Sequence, residues 1–457
     1  MTKVRDSMGE MTVPDSAYYG ASTQRAVENF PVSGYRIPRS ILRALAMIKL
    51  AAARVNNELD LLEEEIADAV SRAADEVIEG RFDDQFPVDV FQTGSGTSTN
   101  MNMNEVIAAR ANEILGHPRQ GRTPVHPNDH VNLGQSSNDV FPASLHIAAR
   151  IQIQDGLIPA VKALKASLER KAYQFRDIVK VGRTHMQDAV PVTLGQEFSA
   201  WASQMEHGIE VIEAGFAALE EIPLGGTAVG TGLNTHPDFG LRAAARIADW
   251  TDIPFRVSAN RLASLGGREA LTRLSKALSA IASSLVKIAS DIRFLASGPD
   301  CGIGEISLPA LQPGSSIMPG KVNPVIIESA VQAATRVMGN DVTVTFANTS
   351  GNLELNVMMP LIGHSVMESV NLLTNVLRLL AEKCVDGIEA NESRCSELVE
   401  RSMALVTPLA RKIGYDRAAE LAKEARERGM TIREIVREKK ILTKKEMEEI
   451  LDPKGMV

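Results

Sequence analysis

Four short segments of the sequence are rich in small and polar residues, and each precedes a predicted helix. They span residues 94–100, 126–139, 182–188 and 314–324. Their serines, threonines and asparagines are neutral hydrogen-bond donors, and Lys321 and His185 add a cation and a proton carrier. This combination suits a small carboxylate of several charges, held by hydrogen bonds, with one base and one acid. It does not suit phosphoryl transfer, which needs carboxylates to hold Mg²⁺.

The fourth segment is similar to a phosphate-binding P-loop but does not have its spacing. Five residues, not four, separate its outer glycines, and a valine stands where the P-loop has its Mg²⁺-binding hydroxyl. Asn323 and Pro324 predict the N-cap and first position of a helix, so Lys321 would lie beside the positive helix end. We expect an anion site there, with Glu328 one turn inside the helix. The alternative is a flexible surface loop with a solvated lysine.

The second segment contains two histidines four residues apart, His126 and His130, which could ligate a metal if they lay on a helix. Pro127 and the Asn-Asp pair after it predict a turn instead. No third ligand stands at zinc spacing, so we predict no metal site. A lone histidine such as His185 is more often structural than catalytic when it is considered without context.

Composition excludes several classes of protein. The 457 residues contain 49 Lys and Arg against 57 Asp and Glu, a net charge of −8, which argues against binding to nucleic acid or membrane surfaces. The three cysteines lie far apart without CxxC spacing, which argues against a disulfide framework and against a thiolate zinc site. The first residues resemble no secretory signal, and no apolar run approaches the ~18 residues of a membrane span. We expect a cytoplasmic protein.

Helical periodicity dominates the middle of the chain. Apolar residues between 271 and 295 recur at alternating steps of three and four, and those between 366 and 384 repeat the pattern. The predicted fold is mainly α, with a long central helical bundle at 139–393. A mixed, mostly helical N-terminal domain at 1–138 and a small helical C-terminal domain at 394–457 flank it. The apolar seams could also pair with copies of themselves.

Helix-end signals place several shorter helices. Helices are expected over about 40–57 and 63–78. In the C-terminal part, Thr407-Pro408 predicts an N-cap followed by a first helical position. Thr431 with Glu434, and Thr443 with Glu446, predict two capping boxes.

The pattern Gly-Ser-Ser-x-Met-Pro-x-Lys-x-Asn at 314–323 resembles the signature of the fumarase/aspartase superfamily of homotetrameric lyases. The other three segments and the glycine-rich run at 225–232 resemble further motifs of that superfamily, in particular of its class II fumarases. The resemblance implies reversible hydration of fumarate to (S)-malate without a metal or an organic cofactor. It also implies a homotetramer in which each active site draws these segments from three subunits.

The resemblance further implies a role for each matching residue. Ser315 would be the base that removes the C3 proton of malate. Lys321 and Asn323 would bind the adjacent carboxylate, which becomes an aci-form dianion. His185, paired with Glu328, would handle the departing hydroxyl or water. The remaining substrate-binding residues would be Ser95, Gly96, Thr97, Ser136, Ser137, Asn138, Thr184 and Ser316.

One implied feature departs from the family pattern. Class II fumarases have a second anion site around the equivalents of His126, Asn128 and Asp129, often with a basic residue three positions before the histidine. That position here is Thr123, with Arg122 beside it.

Two alternatives to the hydratase remain open. An ammonia-lyase that releases fumarate from aspartate would share the Ser315 chemistry, and the stretches after Val325 and from Leu353 lean toward aspartase. Ser137, His185 and the Thr-Gly-Ser-Gly at 93–96 instead match fumarase. A catalytically silent helical scaffold is the other alternative, and the complete set of catalytic residues argues against it.

Overall fold

The computed structural model describes residues 1–457, which are mainly helical with a few two-stranded sheets. The strands are β1 (Thr2–Asp6), β2 (Gly9–Val13), β3 (Val179–Thr184), β4 (Gln187–Thr193), β5 (Glu221–Ile222), β6 (Arg256–Val257), β7 (Ile306–Ser307), β8 (Gly351–Asn352), β9 (Leu355–Asn356) and β10 (Glu389–Ala390). Strand β5 pairs with β6 in parallel, and the pairs β1–β2, β3–β4, β8–β9 and β7–β10 are antiparallel.

The α-helices follow the chain in eighteen segments. They are α1 (Ala21–Asn29), α2 (Arg39–Glu58), α3 (Glu64–Ile78), α4 (Thr97–Ile114), α5 (Ser137–Gln152), α6 (Ile158–Gln174), α7 (Leu194–Glu213), α8 (Phe216–Leu219), α9 (Phe239–Thr251), α10 (Arg261–Gly266), α11 (Glu269–Leu295), α12 (Val325–Asn348), α13 (Met359–Lys383), α14 (Glu392–Arg401), α15 (Val406–Ile413), α16 (Tyr415–Arg428), α17 (Ile432–Glu438) and α18 (Lys444–Ile450). No helix is both long enough and apolar enough to cross a membrane.

Residues 1–159, 210–282 and 335–374 form one compact unit, called unit 1 here. Helix α2 is central to it and packs against α3, α5 and α9. Its apolar side chains, such as Ile41, Leu45 and Ile48, are fully buried, and so is Lys49. Burial of so much apolar surface is the main source of stability for such a unit.

Residues 160–209, 283–334 and 375–457 form the second compact unit, unit 2. The hairpin β3–β4 packs against α14. A hydrophobic cluster of the C-terminal helices, including Leu405, Leu409, Ile432 and Ile435, also contains Val181 of the hairpin. The hairpin that carries the third polar segment is therefore packed against the hydrophobic core of the C-terminal helices.

The long helices confirm the heptad-like periodicity. Every seam residue of α11, from Leu271 to Leu295, is buried in the single chain, and the seam of α13 is buried as well. Polar side chains join neighbouring long helices: Trp201 of α7 donates to Asp291 of α11, and Asn340 of α12 donates to Glu368 of α13. The seams thus form the interior of one chain, so they are not free to pair with copies of themselves, contrary to what the sequence suggested.

Several helix ends differ from the sequence prediction, whereas the capping boxes are confirmed. Thr431 and Thr443 each accept a hydrogen bond from the backbone N–H three residues on, and the glutamate there accepts one in return. Helix α15 instead begins at Val406, so Thr407 and Pro408 lie within its first turn. Helices α2 and α3 match the expected ranges within a residue.

The predicted turn after His126 is a single π-helical turn over Pro127–Val131. The proposed boundaries near residues 138 and 393 remain a prediction.

Candidate active site

The first polar segment uses its glycines for close packing at the start of α4. Gly96 has φ +74°, and a Cβ there would lie 2.3 Å from the Phe141 ring. A Cβ on Gly94 would lie 1.6 Å from the carbonyl oxygen of Val357. Only glycine fits at either position, because a side chain would clash in both places, and the positive φ of Gly96 disfavours a side chain there as well. This packing brings Ser95 and Thr97 next to the second segment.

A short chain of hydroxyl groups joins the first two segments in unit 1. The Ser95 and Thr97 hydroxyls lie 2.7 Å apart, and the Thr97 and Ser137 hydroxyls also lie 2.7 Å apart. Helices α4 and α5 both begin at this point, so their positive ends converge there. The arrangement offers several neutral donors to an anion.

The start of α5 is fixed by a capping box that also reaches a distant loop. Ser136 caps the helix, and its backbone N–H donates to Asp139 Oδ1 at 2.9 Å. Asp139 Oδ2 accepts the backbone N–H groups of Gly225 and Thr227, both at 3.0 Å. The Asn138 amide donates to the carbonyl oxygen of Ala228 at 2.8 Å. Burial raises the pKa of the Asp139 carboxyl to about 6.

The third segment forms the tip of the β3–β4 hairpin in unit 2. Thr184 pairs with Gln187, so His185 and Met186 are a two-residue turn, with φ values of +56° and +60°. Such turns strongly prefer Asn-Gly, because both positions need left-handed backbone. Thr184, His185 and Met186 are exposed in the single chain.

Buried charges anchor the base of that hairpin. The Arg183 guanidinium donates to both oxygens of Glu305 at 2.9 Å, and Glu305 is fully buried. The Lys180 ammonium, also fully buried, donates to Glu197 at 2.8 Å and lies 3.3 Å from Glu305. Burial raises the pKa of the Glu197 carboxyl. Ion pairs of this kind fix the position of strand β3, which leads into the turn.

The fourth segment is a loop closed at its base. The Gly314 N–H donates to the Lys321 carbonyl at 2.8 Å, and the Asn323 amide donates to the Gly314 carbonyl at 2.6 Å. Within the loop, the Ser315 hydroxyl oxygen accepts the backbone N–H groups of Ile317 at 3.2 Å and Met318 at 3.0 Å. Helix α12 then begins at Val325, so Asn323 closes the loop and is not the N-cap that the sequence predicted.

The single chain brings some of the predicted site residues together and leaves others apart. The residues at 95–97 and 136–138 share one cluster in unit 1, whereas the third and fourth segments lie in unit 2 without a hydrogen bond between them. His185 and Glu328 are both exposed and form no ion pair with each other. Ser316 and Lys321 are also exposed, and the Lys321 ammonium makes no ion pair.

The backbone N–H groups of the predicted second anion site are engaged within their own turn. His126 Nδ1 accepts the backbone N–H groups of Asn128 at 3.3 Å and Asp129 at 3.1 Å. Burial, and then the Arg122 charge, lower the pKa of the His126 imidazole. The His126 backbone N–H donates to the His130 ring at 2.9 Å. No group of three His, Cys, Asp or Glu side chains that could hold a metal ion is present. An anion site here remains a prediction.

Two buried groups near the first cluster were not assigned a role from the sequence. Lys49 donates to Asn132 at 3.0 Å and to Gln135 at 2.9 Å, just before the Ser136 cap. Asp139 links that cap to the glycine-rich run at 225–232. The Ser-x-x-Asp spacing from 136 to 139 is a capping-box signal that could have identified Asp139, because the fourth position must be acidic or amide. No sequence signal separates Lys49 from a solvated lysine.

Family models match most of the chain. One described as Lyase matches residues 9–339, and one described as Fumarase C C-terminus matches residues 405–457. A relative from Neisseria meningitidis named fumarate hydratase class II is 50% identical over 99% of this chain and 98% of its own. One from Nitrosomonas europaea with the same name is 51% identical over the same shares.

Solved structures agree with those relatives. A class II fumarase from Schistosoma mansoni superposes with a TM-score of 0.96 at 40% identity, covering 100% of this chain and 98% of its own. A Brucella melitensis fumarate lyase:delta crystallin, bound to cobalt, gives a TM-score of 0.95 at 45% identity, covering 100% and 99%. Matches of this extent and identity cover both units, and they place the chain among the lyases of the fumarase/aspartase superfamily, as a member of the class II fumarase family.

Proposed function

We propose that this chain is a hydro-lyase that interconverts fumarate and (S)-malate by anti addition and elimination of water. The names of its relatives and the motif residues support this reaction. The observation that carries the proposal is the environment of Ser315. Serine is a weak base, so a base role requires that its alkoxide be stabilised. Two backbone N–H groups already point at the Ser315 hydroxyl oxygen.

In the proposed reaction, Ser315 removes the C3 proton of malate and electron density moves into the neighbouring carboxylate. That carboxylate becomes an aci-form dianion, so a cation and donors placed there stabilise the transition state more than the ground state. Lys321 supplies the charge. Asn323 uses one amide N–H to close the loop, and its second N–H is free to bind the carboxylate.

The cluster in unit 1 would hold the rest of the diacid. Ser95, Thr97, Ser137 and Asn138 present hydroxyl and amide groups where two helices begin. Neutral donors at helix ends bind an anion without a second fixed charge. Gly96, Ser136, Thr184 and Ser316 are the other proposed contacts.

His185, with Glu328, would transfer the proton to the departing hydroxyl. Both side chains are exposed and unpaired in the single chain, which is the state expected if each finds its partner on another subunit. We therefore propose a homotetramer with shared active sites.

The paired substrate assay tests the reaction directly. Malate and aspartate are supplied separately to the purified chain, and fumarate is followed by its ultraviolet absorbance. We expect fumarate from malate only. Fast production from aspartate with none from malate would favour the ammonia-lyase, and no product from either would favour the silent scaffold.

Ser315→Ala should abolish turnover while the assembly stays intact, because alanine cannot accept the proton. The matched control is Ser316→Ala, which removes a neighbouring hydroxyl that accepts no loop N–H. It should raise KM and largely keep kcat. The measurement is kcat for both variants, with sedimentation to confirm the assembly. Turnover of Ser315→Ala at the unmodified rate would remove Ser315 from its role.

A further inference from the structure

We propose that Asp139 is a positioning residue, which fixes the Asn138 amide by tethering the glycine-rich loop at 225–232 to the start of α5. The inference rests on the proposed function, in which Asn138 binds a substrate carboxylate. Asp139 does not itself reach the substrate in this scheme. It acts through the loop, to which neither the sequence motifs nor the reaction assigns a task.

The tether is a single carboxylate shared by two parts of the chain. Asp139 is fully buried, and one oxygen accepts the Ser136 N–H while the other accepts those of Gly225 and Thr227. All three distances lie between 2.9 and 3.0 Å. Hydrogen bonds from backbone N–H groups to a buried carboxylate are among the stronger ones, since one partner is charged. No neutral side chain of this size can accept from both sides at once.

The far side of the loop is held by close packing. Gly230 has φ +98°, and a Cβ there would lie 2.8 Å from the backbone nitrogen of Leu262. Thr227 has φ +53°, an unusual conformation for a β-branched residue. A strained residue persists only where its surroundings determine its conformation, and the tether to Asp139 provides that constraint.

The held loop in turn orients the amide. The carbonyl oxygen of Ala228 accepts the Asn138 Nδ2 hydrogen at 2.8 Å, so the plane of the amide and the direction of its second N–H are set. Ala228 and Val229 are exposed beside it and form the rim of the cluster. A donor that is already oriented loses less entropy when substrate binds. The tether should therefore affect substrate affinity more than the chemical step.

The charge state of Asp139 matters for the same reason. The group faces three backbone donors and no paired cation, and Lys49 is the charged group that acts on it. Burial raises its pKa to about 6. When Asp139 is protonated, one of its two accepting oxygens becomes an O–H donor that faces a backbone N–H, and a hydrogen bond of the tether is lost. KM for malate should then rise as pH falls through 6, and a variant without this carboxyl should lack that part of the pH profile.

The test is Asp139→Asn in the full-length chain. Its amide can accept on one side only, so an NH₂ group must face a backbone N–H on the other. We expect KM for malate to rise about tenfold or more, with kcat within a few-fold of the unmodified chain. The matched control is Glu434→Gln, the same capping-box position in α17, which should change neither parameter.

Two further measurements separate positioning from a general structural effect. Combined with Asn138→Ala, the Asp139→Asn change should add little to the loss in kcat/KM, because both act through one amide. Amide hydrogen exchange of residues 225–230 should accelerate in Asp139→Asn without substrate. Gly230→Ala, which displaces the loop from its other side, should reproduce the rise in KM if Asp139→Asn does not fold.

The outcomes distinguish this inference from the proposed function. An unmodified chain that turns over neither malate nor aspartate contradicts the proposed function. The amide exchange rates of residues 225–230 would still test whether Asp139 holds the loop. Unchanged exchange at 225–230, or an unchanged KM in both Asp139→Asn and Gly230→Ala, overturns the positioning role. Full additivity of the Asp139 and Asn138 changes would also overturn it.

Discussion

Lys49 is a fully buried lysine that forms no ion pair, and its contacts with Asn132 and Gln135 are both with neutral side chains. Burial lowers its pKa to about 7, while Asp139 acts in the opposite direction. Between about pH 7 and the ordinary lysine value of 10.5, the unfolded chain therefore binds one more proton than the folded chain. The free energy of unfolding should rise with pH in this window, because raising pH penalises the state that holds the extra proton.

Lys49→Met should remove this dependence. Relative to the variant, the unmodified chain should gain about 1.4 kcal/mol of unfolding free energy per pH unit above 7.5. Denaturant unfolding at fixed protein concentration between pH 7.5 and 9.5 measures the difference. Lys423→Met is the control, since Lys423 is largely exposed. The free energy of unfolding of this variant, plotted against pH, should run parallel to that of the unmodified chain. If the unfolding free energies of Lys49→Met and of the unmodified chain changed equally with pH, the lowered pKa of Lys49 would be contradicted.

The loop at 314–323 was predictable because the residues that form it are local in sequence. Ser315, Lys321 and Asn323 lie within one short pattern, so their types and spacing identified the loop. The role of Asp139 depends on Gly225 and Thr227, which lie more than eighty residues away, and no local pattern contains that distance. Lys49 stands in an apolar stretch where a long side chain would ordinarily reach solvent.

At the level of elements, the hairpin tip that carries His185 is built from unfavourable residues. His185 and Met186 both occupy left-handed backbone, which costs a non-glycine residue roughly 1–2 kcal/mol each. Strain of this kind is concentrated at functional sites. The side chain of Met186 is 67% exposed, so it contributes little packing to offset the strain.

Met186→Gly should therefore stabilise the protein, by about 1 kcal/mol, because glycine adopts the left-handed region without steric cost. The shift of the denaturant midpoint measures the gain. Met186→Ala removes the same side chain but keeps the backbone penalty, and we expect it to leave stability nearly unchanged. Equal midpoints for the glycine and alanine variants would show that the turn stores no strain.

Elements were predictable where one periodicity governs many residues. The seam of α11 repeats over its whole length, so tertiary contacts cannot easily override it, and its residues are buried as expected. Single helix ends were less predictable. The Asn323 side-chain amide donates to the Gly314 carbonyl. Helix α15 begins at Val406 because a preceding turn already leads into it. Local cap signals compete with such tertiary partners.

For the whole molecule, the proposed assembly needs an apolar surface other than the predicted seams, since these are buried within one chain. Helix α12 carries a second stripe that stays exposed, formed by Thr335, Gly339, Val342 and Phe346. Its steps of four, three and four match a helix-packing seam. Val342 and Phe346 are 56% and 71% exposed, unusually open for apolar side chains of this size. A Cβ on Gly339 would meet no atom within 4 Å, so a second helix could approach closely there.

Phe346→Glu should weaken the assembly, because it would bury a carboxylate without a partner in the proposed interface. We expect the unmodified chain to sediment at about four times 49.4 kDa and the variant to shift toward the chain mass, with turnover falling at least tenfold although no proposed site residue has changed. Tyr415→Glu, at a side chain that is 80% exposed on a C-terminal helix, is the control and should keep both mass and activity.

Mixing inactive Ser315→Ala and His185→Asn chains after dissociation should restore some turnover, because a shared site can then take each intact residue from a different subunit. Full activity at 49.4 kDa, or no recovery in mixtures that do reassemble, would contradict active sites shared between subunits.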